Sequence, residues 1–208
     1  MSISASASAQ SLLGGESVKV NDSALNVQLG YPELRVGYHI PVVDGFEIIP
    51  RFTFFYAGGG NRLLDTLNPP QVGLALAADF KWNFYSNGRF HIAAVWRVGI
   101  NLEFLNGVDA ALQIGFPGGL AMNYEVNDKV DLLFGLDTSS AVGLTTALAA
   151  YNIPFVFHIG TAIDIRRNMA LTLTFEGGPT ILALSKDNAS ATLVGGWVAG
   201  FVGLDFYL

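Results

Sequence analysis

The chain has 208 residues, of which 51% are hydrophobic and 13% are charged, and its formal net charge at pH 7 is −6. An acidic chain without a basic tract excludes nucleic acid as a partner, because nothing in it would neutralise phosphates. The absence of cysteine excludes a disulfide framework, a thiolate metal site and a thiol nucleophile.

The N-terminal segment, residues 1–24, begins MSISASASAQ and has neither the basic region nor the apolar run of a secretory signal peptide. If the protein is exported, we expect this sequence to be its mature form, with the signal peptide absent. Two arrangements of the segment stay open. It is either a flexible extension or a plug folded into the interior of the domain that follows, residues 25–208.

Alternation of apolar and polar residues recurs through the rest of the chain and is clearest over Phe90–Phe104, where every second residue is apolar. A strand turns successive side chains to opposite faces, so each such segment predicts a strand with one apolar and one polar face. Turn signals such as Ser86-Asn87-Gly88-Arg89 separate the segments. The clear strands, in chain order, are predicted at residues 34–40, 46–56, 72–85, 90–104, 111–125, 130–138, 153–165, 169–181 and 193–208.

Long two-faced strands are what a closed membrane barrel requires, because lipid offers no hydrogen-bond partner to an open sheet edge. Closure of a single-chain bacterial barrel needs an even number of antiparallel strands. A tenth strand is therefore predicted within residues 17–29, where Leu25, Val27 and Leu29 are apolar, followed by a tight turn at Gly30-Tyr31-Pro32. The predicted fold class is all-β, an antiparallel up-and-down transmembrane β-barrel of about ten strands, with eight and twelve as alternatives.

The connections between these strands alternate in length, which predicts the topology. Short turns are predicted at residues 42–45, 86–89, 126–129 and 166–168, as on the periplasmic side of such barrels. Longer loops are predicted on the outer side, at residues 57–71, 105–110, 139–152 and 182–192.

Helical membrane spans are the rival interpretation. Residues 138–157 carry no charge and no histidine, and they are about as long as a spanning helix. However, Pro154 and several hydroxyl side chains interrupt this stretch, and its apolar residues come in two short runs. The barrel is therefore favoured.

The last strand ends Val202-Gly203-Leu204-Asp205-Phe206-Tyr207-Leu208, with an apolar residue at every second position. Together with the strand pattern over residues 34–208, this ending resembles the small outer-membrane β-barrel proteins of Gram-negative bacteria. Those proteins end in an aromatic residue that the barrel-insertion machinery recognises, whereas this chain ends in Leu208. The resemblance implies a bacterial outer-membrane location, contact with lipid and lipopolysaccharide, and the insertion machinery as a partner during biogenesis. We expect a monomer without a cofactor.

Charged side chains concentrate on the predicted inward faces of the strands. Buried charges persist only when they are paired or hydrated, so charges of both signs at one height predict a layer of ion pairs across the lumen. Such a layer either fills a narrow barrel or forms a constriction that selects small solutes. The predicted layer consists of Arg35, Arg51, Asp79, Arg97, Asp137, His158 and Glu176.

The predicted function is a narrow passive channel for small molecules, apolar ones included, because the loops predicted at residues 57–71 and 139–152 are rich in apolar residues. The alternative is a non-conducting structural or interaction barrel. The resemblance also includes barrels that are lipid-A enzymes or proteases using His with Ser or Asp. Sequence spacing brings no such set together, and His158 with Asp137 is the pair to examine first. We therefore predict no enzymatic activity, and no metal-ligand spacing appears.

Overall fold

The computed structural model describes residues 12–56, 72–104, 111–116, 118–138, 140–144, 149–186 and 189–208. These residues form one antiparallel sheet of thirteen strands. In chain order the strands are β1 Ala24–Tyr31, β2 Glu33–Val43, β3 Phe46–Phe55, β4 Val72–Asn87, β5 Phe90–Phe104, β6 Ala111–Phe116, β7 Gly119–Asn127, β8 Val130–Asp137, β9 Ser140–Leu144, β10 Ala149–Pro154, β11 Val156–Arg166, β12 Met169–Lys186 and β13 Ala189–Tyr207.

The thirteen strands make ten crossings, because three crossings are each split into two strands. Strands β6 and β7 form one crossing, because both pair with β5. Strands β10 and β11 form another, because both pair with β12. Strands β8 and β9 form the third, which lies between these two crossings. Strand β1 pairs with β13, with Ala24 opposite Tyr207, so the first and last strands close the sheet. The predicted ten-strand antiparallel barrel is therefore confirmed, and β1 is the predicted tenth strand.

The strand lengths differ from the prediction at the ends of several strands. The loop predicted at residues 139–152 holds β9 and β10, which pair with each other, and the loop predicted at 182–192 is mostly strand, since β12 reaches Lys186 and β13 begins at Ala189. The apolar residues Val142, Leu144 and Tyr151 thus belong to strands. The predicted loops at 57–71 and 105–110 lie outside the described residues.

Two segments predicted as continuous strands, residues 111–125 and 153–165, are each broken in the structure. Residue 117 lies outside the described residues, and β10 ends at Pro154, which has no N–H to donate to a ladder. At the other end of the barrel, tight turns of two residues at 44–45, 88–89, 128–129 and 167–168 join the strands. We call this end the short-turn end.

Among the described residues, no helix is long and apolar enough to cross a membrane. The described residues between 140 and 157 are almost all β-strand rather than helix.

Burial in this barrel is the reverse of burial in a soluble protein. Large apolar side chains face outward and are exposed, among them Trp96 at 55% and Ile159 at 64%. Charged side chains face inward and are buried, among them Asp79 and Glu47, both at 0%. A soluble domain almost never buries unpaired charges behind an apolar surface, whereas a membrane barrel has an apolar outer face and a polar interior.

Residues 12–18 of the N-terminal segment lie inside the barrel near the short-turn end. Leu12 and Val18 are buried, and their backbone N–H groups donate to Asp205 of β13 at 3.4 Å and to Glu47 of β3 at 3.1 Å. The Gly15 N–H donates to the Asn123 side chain of β7 at 2.9 Å. These three bonds attach the segment to three separate parts of the barrel wall.

Candidate functional site: the charged lumen

The centre of the ion-paired layer is Asp79 on β4, which is fully buried. Its two carboxylate oxygens accept from Arg97 Nε at 2.7 Å and from an Arg97 terminal nitrogen at 3.1 Å, while Arg51 lies at 2.6 Å. Arg97 stands directly opposite Asp79 in the β4–β5 ladder, so the strand register itself aligns this pair. Arg97 also donates to Asp137 of β8 at 3.2 Å.

A second part of the layer is formed around Arg35 on β2. Its guanidinium makes a two-pronged bond to Glu176 of β12, at 2.6 and 2.9 Å, and also pairs with Glu33. Its carbon centre lies 4.0 Å from the centroid of the Phe201 ring, a cation–π distance. Strands β1 and β13 lie between β2 and β12 in the sheet, so this bond crosses the closure of the barrel on its inner side.

His158 on β11 lies over a glycine of the neighbouring strand. It stands opposite Gly135 in the β8–β11 ladder, and a Cβ at that glycine would lie 2.3 Å from the imidazole. From the sequence, Asp137 and His158 are the pair to examine for catalysis. In the structure, the Asp137 carboxylate accepts a hydrogen bond from Arg97.

One cavity of about 250 Å³ is bounded by this layer. All seven residues of the predicted layer line it, so the structure brings them together around one space. Leu12 and Leu13 of the N-terminal segment line it as well, and small residues such as Ala75 and Gly119 leave it room.

Sequence considerations missed Glu33, which is 2% exposed and pairs with Arg35. The available signal was its spacing, because a residue two positions before an inward arginine on one strand also faces inward. The tight turn at Pro32 obscured it by placing Glu33 at the very start of β2.

A second buried cluster, at the short-turn end, was also not predicted as a set. The Glu47 carboxylate lies 3.1 Å from Lys81 Nζ and 3.2 Å from His39 Nδ1. Lys81 in turn donates to the Leu12 carbonyl oxygen at 3.2 Å. Glu47 and Lys81 stand opposite each other in the β3–β4 ladder, a register that the long connection between these strands does not reveal in the sequence.

No protein-family model matches the sequence, and no curated protein is detectably similar to it. Among solved structures, the COG4313 outer membrane channel from Pseudomonas putida F1 is similar at 11% identity and a TM-score of 0.49, covering 93% of this chain and 98% of that one. A KdgM porin is similar at 9% identity and a TM-score of 0.36, covering 89% and 98%. OmpT of Vibrio cholerae is similar at 11% identity and a TM-score of 0.38, covering 87% of this chain and 56% of that one. The barrel architecture itself rests on the strand pairing of this chain.

Proposed function

We propose that the protein is a narrow passive channel of the bacterial outer membrane for small molecules. The observation that carries the proposal is the cavity of about 250 Å³ inside a closed barrel, bounded by the ion-paired layer. Charged rings at a narrow point of a pore select solutes by size and charge. Arg97 and Asp137 keep 27% and 34% of their side chains exposed, which supports a layer that meets solute rather than a solid core.

The character of the wall favours neutral solutes with an apolar body. Three arginines in the layer face four carboxylates, those of Glu33, Asp79, Asp137 and Glu176, so the layer offers an anion no excess positive charge. Apolar side chains, among them Ile49, Val95 and Val156, contribute much of the remaining lining. An anion would have to displace an existing carboxylate from its guanidinium, at the cost of leaving that charge unpaired.

Leu12 and Leu13 of the N-terminal segment line the cavity, and we expect the proposed channel to conduct best when this segment is displaced. Gly15 is the position to change, because a Cβ there would lie 2.4 Å from the His91 carbonyl oxygen, a backbone atom. Gly15→Val should therefore displace the segment without altering the barrel wall. A matched control is Gly200→Ala, since a Cβ at Gly200 meets no described atom within 4 Å.

Single-channel recording in planar bilayers tests the proposal. We expect Gly15→Val to raise the conductance and the uptake of small neutral solutes into vesicles, and Gly200→Ala to match the wild type. If neither the wild type nor Gly15→Val conducts while both barrels are folded, the channel proposal is wrong.

The second candidate function is a non-conducting structural barrel. The observation that favours it is the hydrogen bonding of residues 12–18 to the lumen wall, since such contacts also stabilise a filled interior. In that case single-channel recording would show no conductance, whether the N-terminal segment is docked or displaced.

A further inference from the structure

Three side chains with metal-ligating atoms meet at the short-turn end, away from the central layer. Glu16 belongs to the N-terminal segment, His91 to β5 and Glu125 to β7, and one ligand atom of each lies within 4.8 Å of the other two. Glu16 and His91 keep only 12% and 11% of their side chains exposed. The cluster therefore joins the segment to two neighbouring strands of the wall.

The distances from His91 to the two carboxylates match the ligand spacing of a tetrahedral metal ion, and the shorter one is also a hydrogen-bond distance. His91 Nε2 lies 3.2 Å from a Glu125 oxygen and 3.4 Å from a Glu16 oxygen. Two ligands of a tetrahedral Zn²⁺ ion, with bonds of roughly 2.0–2.1 Å, lie roughly 3.3 Å apart.

Hydrogen bonding to His91 alone also cannot satisfy both carboxylates of the cluster. One ring nitrogen carries at most one proton, so Nε2 can donate to only one of the two carboxylates at a time. A divalent cation would bind both carboxylates and the neutral imidazole together.

The surroundings hold two of the three ligands in place, whereas the Glu125 side chain is 36% exposed. His91 Nδ1 lies 3.0 Å from the Ser86 hydroxyl, and a hydrogen bond at the second ring nitrogen is what orients a metal-binding histidine. The backbone immediately before Glu16 is held at Gly15, because the Gly15 N–H donates to Asn123 and the Gly15 carbonyl accepts from Asn83 at 2.6 Å. The close approach of Gly15 to the His91 backbone leaves no room for a side chain there.

We propose that Glu16, His91 and Glu125 bind one divalent transition-metal ion of the Zn²⁺ type, which fastens the N-terminal segment to the barrel wall. One imidazole and two carboxylates are a mixed nitrogen and oxygen set that suits Zn²⁺, and three protein ligands leave a fourth position for water. The binding itself does not depend on channel activity. Only its effect on conductance, a lower conductance with the ion bound, rests on the proposed function.

Titration of the full-length folded barrel with Zn²⁺ alone tests the site. We expect one equivalent to bind to the wild type and this binding to be lost in Glu16→Gln and His91→Ala. Glu16 lies outside the barrel strands, so Glu16→Gln leaves the fold testable even if His91→Ala folds poorly. Ser86→Ala should weaken binding about 10–100-fold through the orientation of His91, and Ser86→Thr should restore it.

Trypsin provides a second readout that does not depend on conductance. Lys19 is exposed within the N-terminal segment, and cleavage after it becomes faster when the segment leaves the wall. We expect Zn²⁺ to slow this cleavage in the wild type and not in Glu16→Gln. Asp128→Asn, which removes an exposed carboxylate at the same end of the barrel, is the control that should bind and protect normally.

Two results would overturn the proposal. One is the absence of stoichiometric Zn²⁺ binding to the wild type. The other is binding that persists unchanged in Glu16→Gln and His91→Ala, which would assign the ion to surface carboxylates elsewhere. If the barrel binds Zn²⁺ at this site but conducts in no state, the metal-site proposal is supported and the channel proposal is wrong.

Discussion

Individual buried charges in this lumen are stable because each has a partner of opposite sign placed by the strand register. Asp79 is fully buried and interacts with Arg51 and Arg97 together, so its charge is compensated from two strands. A buried ion pair adds little net stability compared with apolar packing. Removing one partner is nevertheless destabilising, because the other charge is then buried without compensation. The lumen charges therefore tolerate single substitutions poorly.

The residue that tests this is Asp79. Asp79→Asn keeps the shape and removes the charge, and we expect the free energy of unfolding to fall by about 1–3 kcal/mol, because Arg51 loses its carboxylate. Urea unfolding in lipid vesicles measures it. Asp128→Asn at an exposed turn is the control and should stay within about 0.5 kcal/mol of the wild type. Equal stabilities of the two variants would contradict the assigned pairing.

At the scale of the strand, one residue sequence specifies two opposite surfaces. Along β5 the outward Trp96, Val98 and Ile100 are 43–55% exposed, while the inward Ala93 is fully buried. Such a strand is stable only if lipid covers the exposed row, because water contact would cost about 25 cal/mol for each Å² of apolar surface. The position of a residue along the strand also matters, because the free-energy cost of a charge on the lipid-facing side depends on its depth in the membrane.

Two valines of similar exposure but different height test the lipid-facing assignment. Val98 is 52% exposed and lies beside Arg97 of the central layer, whereas Val43 is 56% exposed and ends β2 at the short-turn end. We expect Val98→Arg to lower the free energy of unfolding by about 2–4 kcal/mol and Val43→Arg by about 0–1 kcal/mol. Equal losses, measured in the same vesicles, would argue against membrane insertion at this height.

At the scale of the whole molecule, closure depends on contacts that join the ends of the chain. Strands β1 and β13 pair along their lengths, and the Arg35–Glu176 bond crosses above them from β2 to β12. Closure leaves the sheet without an unpaired edge, which lipid would not tolerate. The N-terminal segment then lies inside the closed barrel, and its contacts with β3, β7 and β13 follow from closure.

The two-pronged bond between Arg35 and Glu176 can be tested by a conservative substitution. Lysine cannot make the parallel bonds of a guanidinium to a carboxylate. We therefore expect Arg35→Lys to lower the free energy of unfolding by about 1–2 kcal/mol. Arg166→Lys, at an exposed strand end, should have no measurable effect. A loss in Arg35→Lys no larger than in Arg166→Lys would show that the crossing bond is not stabilising.

Much of the fold could be predicted because strand direction and face follow from local chemistry. Alternation assigns each of the seven lumen residues to the inward face, and closure with an even number of strands predicts the strand at Leu25 and Val27. The predicted strand bounds were incomplete in two respects: two predicted strands are each broken in the structure, and ladder pairing forms β9 and β10 and extends β12 beyond the predicted end.

The sequence by itself therefore determined the class of fold and which side of each strand faces the lumen, because these depend on residues one or two positions apart, and it favoured ten crossings over eight or twelve. Only the tertiary structure decided which charges pair. Arg35 and Glu176 are 141 positions apart, and Glu16, His91 and Glu125 come from three separate elements. Such contacts depend on the register of every intervening strand and on closure, and neither is encoded in the periodicity of any one segment.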